Sequence, residues 1–309
     1  MVKYAAPDAH TIAATAGTTA TAQRFGVRRM ARLLEVSASG YYQYVKRRAA
    51  MVLTPSQQRR ADLTVKILDV HTESDGTYGS PRITDELRER GETVNYKTVA
   101  KIMAGIGIEG ISPRTFKVRT TVVDPAASFP PDLVSRVFDQ GRPDAVWTTD
   151  FTYLSCGEGD MYLCAIRDGH TRRVLGHAVT DHIGSDVVEA AIEQAVAVRG
   201  GRVRGTILHS DRGGEFTAGL TARACARHGL LRSMGATGIC WDNSPSESLW
   251  STLKHEFYYR RTFAGKSELV VAVDNWIDWY NTTRRHSAIG GISPVRYEQS
   301  LTTVAANAA

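Results

Sequence analysis

Residues 146–180 read as three strands joined by two tight turns, which restricts the chain to folds that contain an antiparallel meander. Val146–Leu154 alternates, with Trp147, Thr149, Phe151 and Tyr153 on one face and Thr148, Asp150 and Thr152 on the other. Glu158-Gly159-Asp160 supplies a hairpin turn before Met161–Asp168, and Gly169–Arg172 turns the chain into Arg173–Thr180. Ser185 is placed to cap a helix that ends at Gly200-Gly201. A short apolar strand (Thr206–Asp211), a helix near residues 220–227 and another short strand at Leu230–Met234 follow. This order predicts an α/β domain, a mixed sheet flanked by helices, with functional groups gathered at strand ends.

Three acids stand out against that frame. Aspartate is disfavoured inside strands, and a buried unpaired carboxylate costs several kcal/mol, so Asp150 needs a metal ion or an arginine. Asp211 ends the apolar strand and is followed by Arg212-Gly213-Gly214, where a turn or cap role would also suit it. Glu247 lies after a spacing of 35 residues, inside Ser244-Pro245-Ser246-Glu247, which has the form of a capping box with Ser244 at the N-cap. Lys254 falls seven residues further on, on the same helical face, where it can meet a DNA phosphate. Three carboxylates on separate elements suit Mg²⁺, with Mn²⁺ as a substitute, because such ions take oxygen ligands and keep room for substrate phosphates. Two ions about 3.5–4 Å apart would support an in-line displacement at phosphorus without a covalent protein nucleophile. No Ser-His-Asp or Cys-His arrangement competes, and His209, His255 and His286 lack metal-ligand spacing.

Charge divides unevenly along the chain. Residues 1–130 hold 19 Lys/Arg against 12 Asp/Glu, and residues 131–309 hold 19 against 20, so the excess that suits nucleic acid lies in the front half. Residues 1–23 are a low-complexity tail, expected to be frayed or weakly helical. Residues 24–50 read as two short helices around Val36–Gly40, the proportions of a helix-turn-helix, with Met30, Leu33, Leu34, Tyr41, Tyr42 and Val45 as apolar faces. Residues 56–112 form a second helical module, whose basic residues Arg82, Lys97 and Lys101 are candidate DNA contacts. Pro-punctuated residues 113–143 read as a linker to the sheet domain at 144–262. A C-terminal helix and tail fill 263–309, where Trp276, Trp279 and Tyr280 suit a core and Arg284, Arg285 and His286 suit phosphate or solvent. The four cysteines show no C-x-x-C spacing, no signal peptide is visible and no apolar run spans a bilayer, so a reducing cytoplasm is expected.

The motifs W-T-T-D-F-T-Y-L, H-S-D-R-G-G-E-F and D-N-S-P-S-E-S-L-W-S-T-L-K-H-E resemble the D-D-E integrase core of bacterial insertion-sequence transposases. The resemblance is to the OrfB-type products of the insertion sequence three family. It extends over about residues 24–298, through S-A-S-G-Y-Y, Y-G-S-P-R-I-T-D-E-L, V-N-Y-K-T-V-A-K-I-M and Y-N-T-T-R-R-H-S-A-I-G-G-I-S-P. It implies an RNase H-like catalytic domain that cuts element ends and joins 3′-hydroxyls to target DNA. Asp150, Asp211 and Glu247 become the metal-binding catalytic acids, and Lys254 occupies the family's basic position. An upstream partner made by frameshifting and a homo-oligomer on DNA are expected for the same reason. Glu215 departs from the family, which often carries an amide or other polar residue there. Retroviral integrases share the core, but their N-terminal His-His-Cys-Cys module has no counterpart before Cys156. A DNA-binding regulator without catalysis and a nuclease that hydrolyses without joining are the competing expectations.

Overall fold

The computed structural model describes residues 26–49, 53–111, 129–235 and 243–307. The expectations for the tail at 1–23, for most of the first half of the linker and for Cys240–Asp242 lie outside the described residues. The chain divides into two compact units, residues 1–69 and 70–309.

In the first unit, α1 (Val27–Leu33) and α2 (Ala38–Ala49) form the expected helical pair, followed by α3 (Pro55–Glu73), whose last turn belongs to the second unit. The apolar faces read from the spacing are largely open. Leu33 is 77% exposed, and Leu34, Tyr42 and Val45 are exposed as well.

The second unit begins its regular structure with α4 (Ser80–Glu89) and α5 (Tyr96–Ile106). Pro81 starts α4, where its missing N–H costs nothing, and Gly91 at φ 86° lets the chain turn after it. Asn95 caps α5 by accepting from the Lys97 amide at 2.9 Å. Ile83 and Leu87 on α4, and Val99, Ile102 and Met103 on α5, are buried as their helical spacing predicts.

Five strands make one sheet, β1 (Val146–Cys156), β2 (Gly159–Asp168), β3 (Val174–Thr180), β4 (Ile207–Ser210) and β5 (Leu231–Met234), in the order β3-β2-β1-β4-β5. The first three are the antiparallel meander, and β1, β4 and β5 run parallel. The mixed sheet is therefore as expected. One face, with Trp147, Cys164, Ile166 and Leu175, packs against α6 (Ser185–Val198) and α8 (Gly219–His228). The short helix α7 (Gly214–Thr217) precedes α8, so the expected Gly-Gly turn is itself partly helical. The other face, with Leu154, Leu163 and Ala165, packs against α9 (Ser244–Glu256) and α10 (Lys266–Thr282). Asp150 has the same parity as Leu154, so alternation turns it toward α9.

Gly176 on β3 lets α6 approach closely. A Cβ there would lie 2.1 Å from the Ala191 carbonyl oxygen and 2.8 Å from the Ala195 amide nitrogen. Both are backbone atoms of a packed helix, which cannot swing aside. Gly176→Ala is expected to destabilise the fold by about 1–3 kcal/mol through overpacking, read as a lower urea midpoint.

Several details depart from the sequence reading. The N-cap of α6 is Gly184, not Ser185, and makes no side-chain cap. Residues 129–143 are not a free linker: Val134 and Phe138 are buried beside Ala145 and Val146, and the Leu133 amide donates to Ser233 Oγ at 2.9 Å. The expected C-terminal tail is largely α11 (Pro294–Asn307), anchored by Glu298. That carboxylate accepts from Arg173 at 2.6 Å and from Arg199 at 2.6 and 3.0 Å. Trp276 and Tyr280 are core, as their spacing suggests.

Candidate active site

Asp150 is set by two hydrogen bonds on its own carboxylate. The Phe151 amide donates to Oδ1 at 2.9 Å, and the Trp250 indole N–H donates to Oδ2 at 3.1 Å. The second bond ties β1 to α9, and it uses the one polar atom of an otherwise apolar side chain. Parallel pairing of β1 with β4 ends at Thr148 and His209, each two residues before an acid, Asp150 and Asp211. Asp211 stands in solvent just past β4, and its Oδ1 accepts from the Gly213 amide at 2.9 Å. A Cβ at Gly213 would come within 2.4 Å of Glu215 Oε1 and 3.1 Å of Asp211 Oδ1, so a larger residue there would displace the Glu215 carboxylate.

Glu247 lies exposed in the first turn of α9. The expected capping box is not formed: Asn243, not Ser244, is the N-cap, and no side chain caps the helix. Glu247 is instead directed by its place in a helix whose buried face, Leu249, Trp250 and Leu253, is locked onto the sheet. Asn243 donates from Nδ2 to the Thr149 carbonyl at 3.3 Å, while its buried Oδ1 has no hydrogen-bond partner.

Asp150 senses both other acids. Burial, then the charge of Asp211 and, more weakly, that of Glu247 push the Asp150 carboxyl up to about 7, against the opposing hydrogen bonds from Trp250 and Phe151. Burial and Asp211 likewise raise Glu215. Lys254 is half-buried on α9, its ammonium disfavoured by burial and partly restored by Asp150. Among the described residues, no three His, Cys, Asp or Glu side chains converge as a ready-made metal cage. The electrostatic coupling defines an acidic centre made of one half-buried acid, Asp150, and two exposed ones.

The other candidate residues fall elsewhere. Lys97 and Lys101 are exposed on α5. Arg284 and Arg285 require a correction, because the expected exposed basic turn is buried, at 4% and 6% exposure. Arg284 grips Glu256 with Nη2 at 2.6 Å and Nε at 2.7 Å. Arg285 reaches Glu86 at 2.7 Å, and also pairs with Glu89. Arg82 is partly buried and its Nη1 donates to Glu256 Oε1 at 3.2 Å. Sequence reasoning missed Trp250, whose signal was an indole three residues after an acid on an apolar helical face. It also missed Glu256, an acid three and seven residues after Leu253 and Leu249 on the buried face of α9.

Residues 140–240 match the family described as integrase core domain, and residues 228–294 match a second family of that description. Residues 57–116 match the HTH-like domain family. Transposase InsF for insertion sequence IS3A of Escherichia coli (strain K12) is 34% identical over 277 residues, covering 89% of this chain and 94% of that protein. The transposase for insertion sequence element IS629 of Shigella sonnei is 32% identical over 279 residues, covering 90% and 93%. Among solved structures, the catalytic core domain of BIV integrase overlaps 52% of this chain and 97% of its own, at 21% identity and a TM-score of 0.39.

Proposed function

This chain belongs to the IS3 family of transposases and acts in DNA transposition, and on that premise we propose that Asp150, Asp211 and Glu247 form its D-D-E centre. The observation that carries the reading is Asp150, a mid-strand carboxyl pushed up to about 7 by burial and by the charges of exactly those two other acids, Asp211 first. The donor set fits a divalent cation: three carboxylates, all hard oxygen ligands, with two of them reaching solvent where substrate phosphates can complete a shell. A bound Mg²⁺ or Mn²⁺ pair would supply activation of the attacking oxygen and stabilisation of the leaving one.

The chain's own residues do the positioning. Trp250 and the Phe151 amide fix the direction of the Asp150 carboxylate. The Gly213 amide does the same for Asp211. Lys254, close enough to Asp150 to feel its charge, offers an ammonium to a strand phosphate beside the acids. The lysines at 97 and 101, exposed on the second helix of the helix-turn-helix, are proposed to hold DNA by its backbone. Self-association on DNA and an upstream frameshift partner belong to the same proposal. No described helix is long and apolar enough to cross a membrane.

Metal removal tests the reading directly. Incubated with DNA carrying the element's terminal sequence, the protein is expected to yield joined strand-transfer product in Mg²⁺ and none in EDTA, with Mn²⁺ substituting. Hydrolysed ends alone would favour the nuclease reading, and binding without any metal-dependent product would favour the regulator.

A further inference from the structure

Beside α9 lies a cavity of about 240 Å³ whose walls carry Arg82, Arg167, Arg172 and Arg284. Ser248 and Thr252, one helical turn apart on α9, also line it, the Thr252 hydroxyl donating to the Ser248 carbonyl at 2.9 Å, and no carboxylate contributes to the lining. Of the four guanidiniums, those of Arg82 and Arg284 are held by Glu256. Arg167 is different. It is 4% exposed, and its Nε and Nη2 are buried without any hydrogen-bond partner. The Nε of Arg172 is buried and unpartnered as well.

Such an arrangement is costly. Tyr280 hydrogen-bonds the Arg167 guanidinium, but its remaining buried N–H donors forfeit their hydration without a partner in return. The local field is strongly positive: burial and then Arg284, Arg167 and Arg82 push the His286 imidazole down to about 2, so it stays neutral in the cavity wall. Unsatisfied N–H donors and the Ser248 hydroxyl in a positive field suit a tetrahedral oxyanion, which guanidinium forks recognise with charge-assisted bonds. Arg167 pairs across the sheet with Thr148, two positions from Asp150 on the same face of β1, so the cavity and the acidic centre flank one helix.

We propose that this cavity is a phosphate-binding site, with Arg167 and Arg172 as its principal donors. Its ligand is either a phosphate of a DNA strand or the free anion. The strand source rests on the transposase reading above, and the free-anion source does not.

The test uses the full chain in EDTA, so that failure of the metal chemistry leaves it unaffected. Potassium phosphate is titrated against chloride at constant ionic strength while the thermal midpoint is followed. A saturable rise is expected, with apparent affinity weakened about tenfold or more in Arg167→Met. In parallel, binding of a duplex with the element's terminal sequence is measured against salt. If strand phosphate is the ligand, Arg167→Met weakens that binding and lowers the salt slope by about one. If the free anion is the ligand, only the phosphate titration responds. Arg172→Gln, at a less buried position, repeats both arms should Arg167→Met fail to fold. The proposal is overturned if phosphate has no effect and duplex binding and slope are unchanged in the folded variants. A phosphate response that persists undiminished in both variants overturns it equally.

Discussion

Asp150→Asn is expected to lower strand transfer by about a thousandfold while making the metal-free protein more stable at pH 8. On the proposed D-D-E reading, the loss follows from removing one anionic ligand from a centre whose ions would each stabilise the reaction by several kcal/mol. The gain follows from linkage. Burial first, and then Asp211, raise the Asp150 carboxyl from 3.8 to about 7 in the folded protein. Between those values the folded state binds more protons than the unfolded state, so stability falls as pH rises through the window. Asparagine carries no charge and escapes that penalty. The stability advantage of Asp150→Asn over the parent should therefore be small at pH 5 and reach on the order of 1 kcal/mol at pH 8. It stays below the full shift because the residue is only half-buried and an amide turns an N–H toward Trp250 or Phe151. Urea unfolding at the two pH values, beside a strand-transfer assay, checks both signs. A variant that lost stability at pH 8 would show that Asp150 is a structural acid.

The second large effect is at Glu256. Its side chain is fully buried and accepts from Arg284 at 2.6 and 2.7 Å and from Arg82 at 3.2 Å, joining α9 to α4 and to the segment after α10. Burial works to raise this carboxyl, but Arg284 and then Arg82 hold it below the usual range. Glu256→Ala would strand the Arg284 guanidinium in the interior without its partner. The expected cost is about 3–5 kcal/mol, a thermal midpoint lower by roughly 10 °C for a unit of this size. Replacing both partners, Glu256→Met with Arg284→Met, is expected to recover most of the loss, because a buried ion pair is worth little more than apolar side chains of its volume. The coupling between the two sites is the readout. A Glu256→Ala variant within about 1 kcal/mol of the parent would mean that water or another acid relieves Arg284.

These two residues also show where sequence reading reaches and where it stops. Asp150 was legible because period-two alternation set it on one face of a strand, where a carboxylate is unexpected and demands a partner. The meander around it was legible for the same reason, with tight turns at Gly159 and Gly169 marking its corners. Arg284 and Arg285 were not, since a run of basic residues looks the same in one dimension whether it meets solvent or folds onto Glu86, Glu89 and Glu256 from distant helices. Ser244 illustrates a second limit. Its spacing from Glu247 satisfied the capping pattern, yet Asn243, which also bonds the Thr149 carbonyl on β1, takes the cap position. Tertiary contact displaced a local preference. The packing of Val134 and Phe138 escaped notice because two apolar residues without periodicity give no pattern to read.

The most direct test of the three-acid centre is strand transfer itself, measured in Mg²⁺ for Asp150→Asn, Asp211→Asn and Glu247→Gln beside the parent protein on the same end DNA. All three are expected to lose joined product by about a thousandfold while still binding the duplex, because on the proposed reading the acids act on one centre. Joined product at the parental level from any one of them would contradict it.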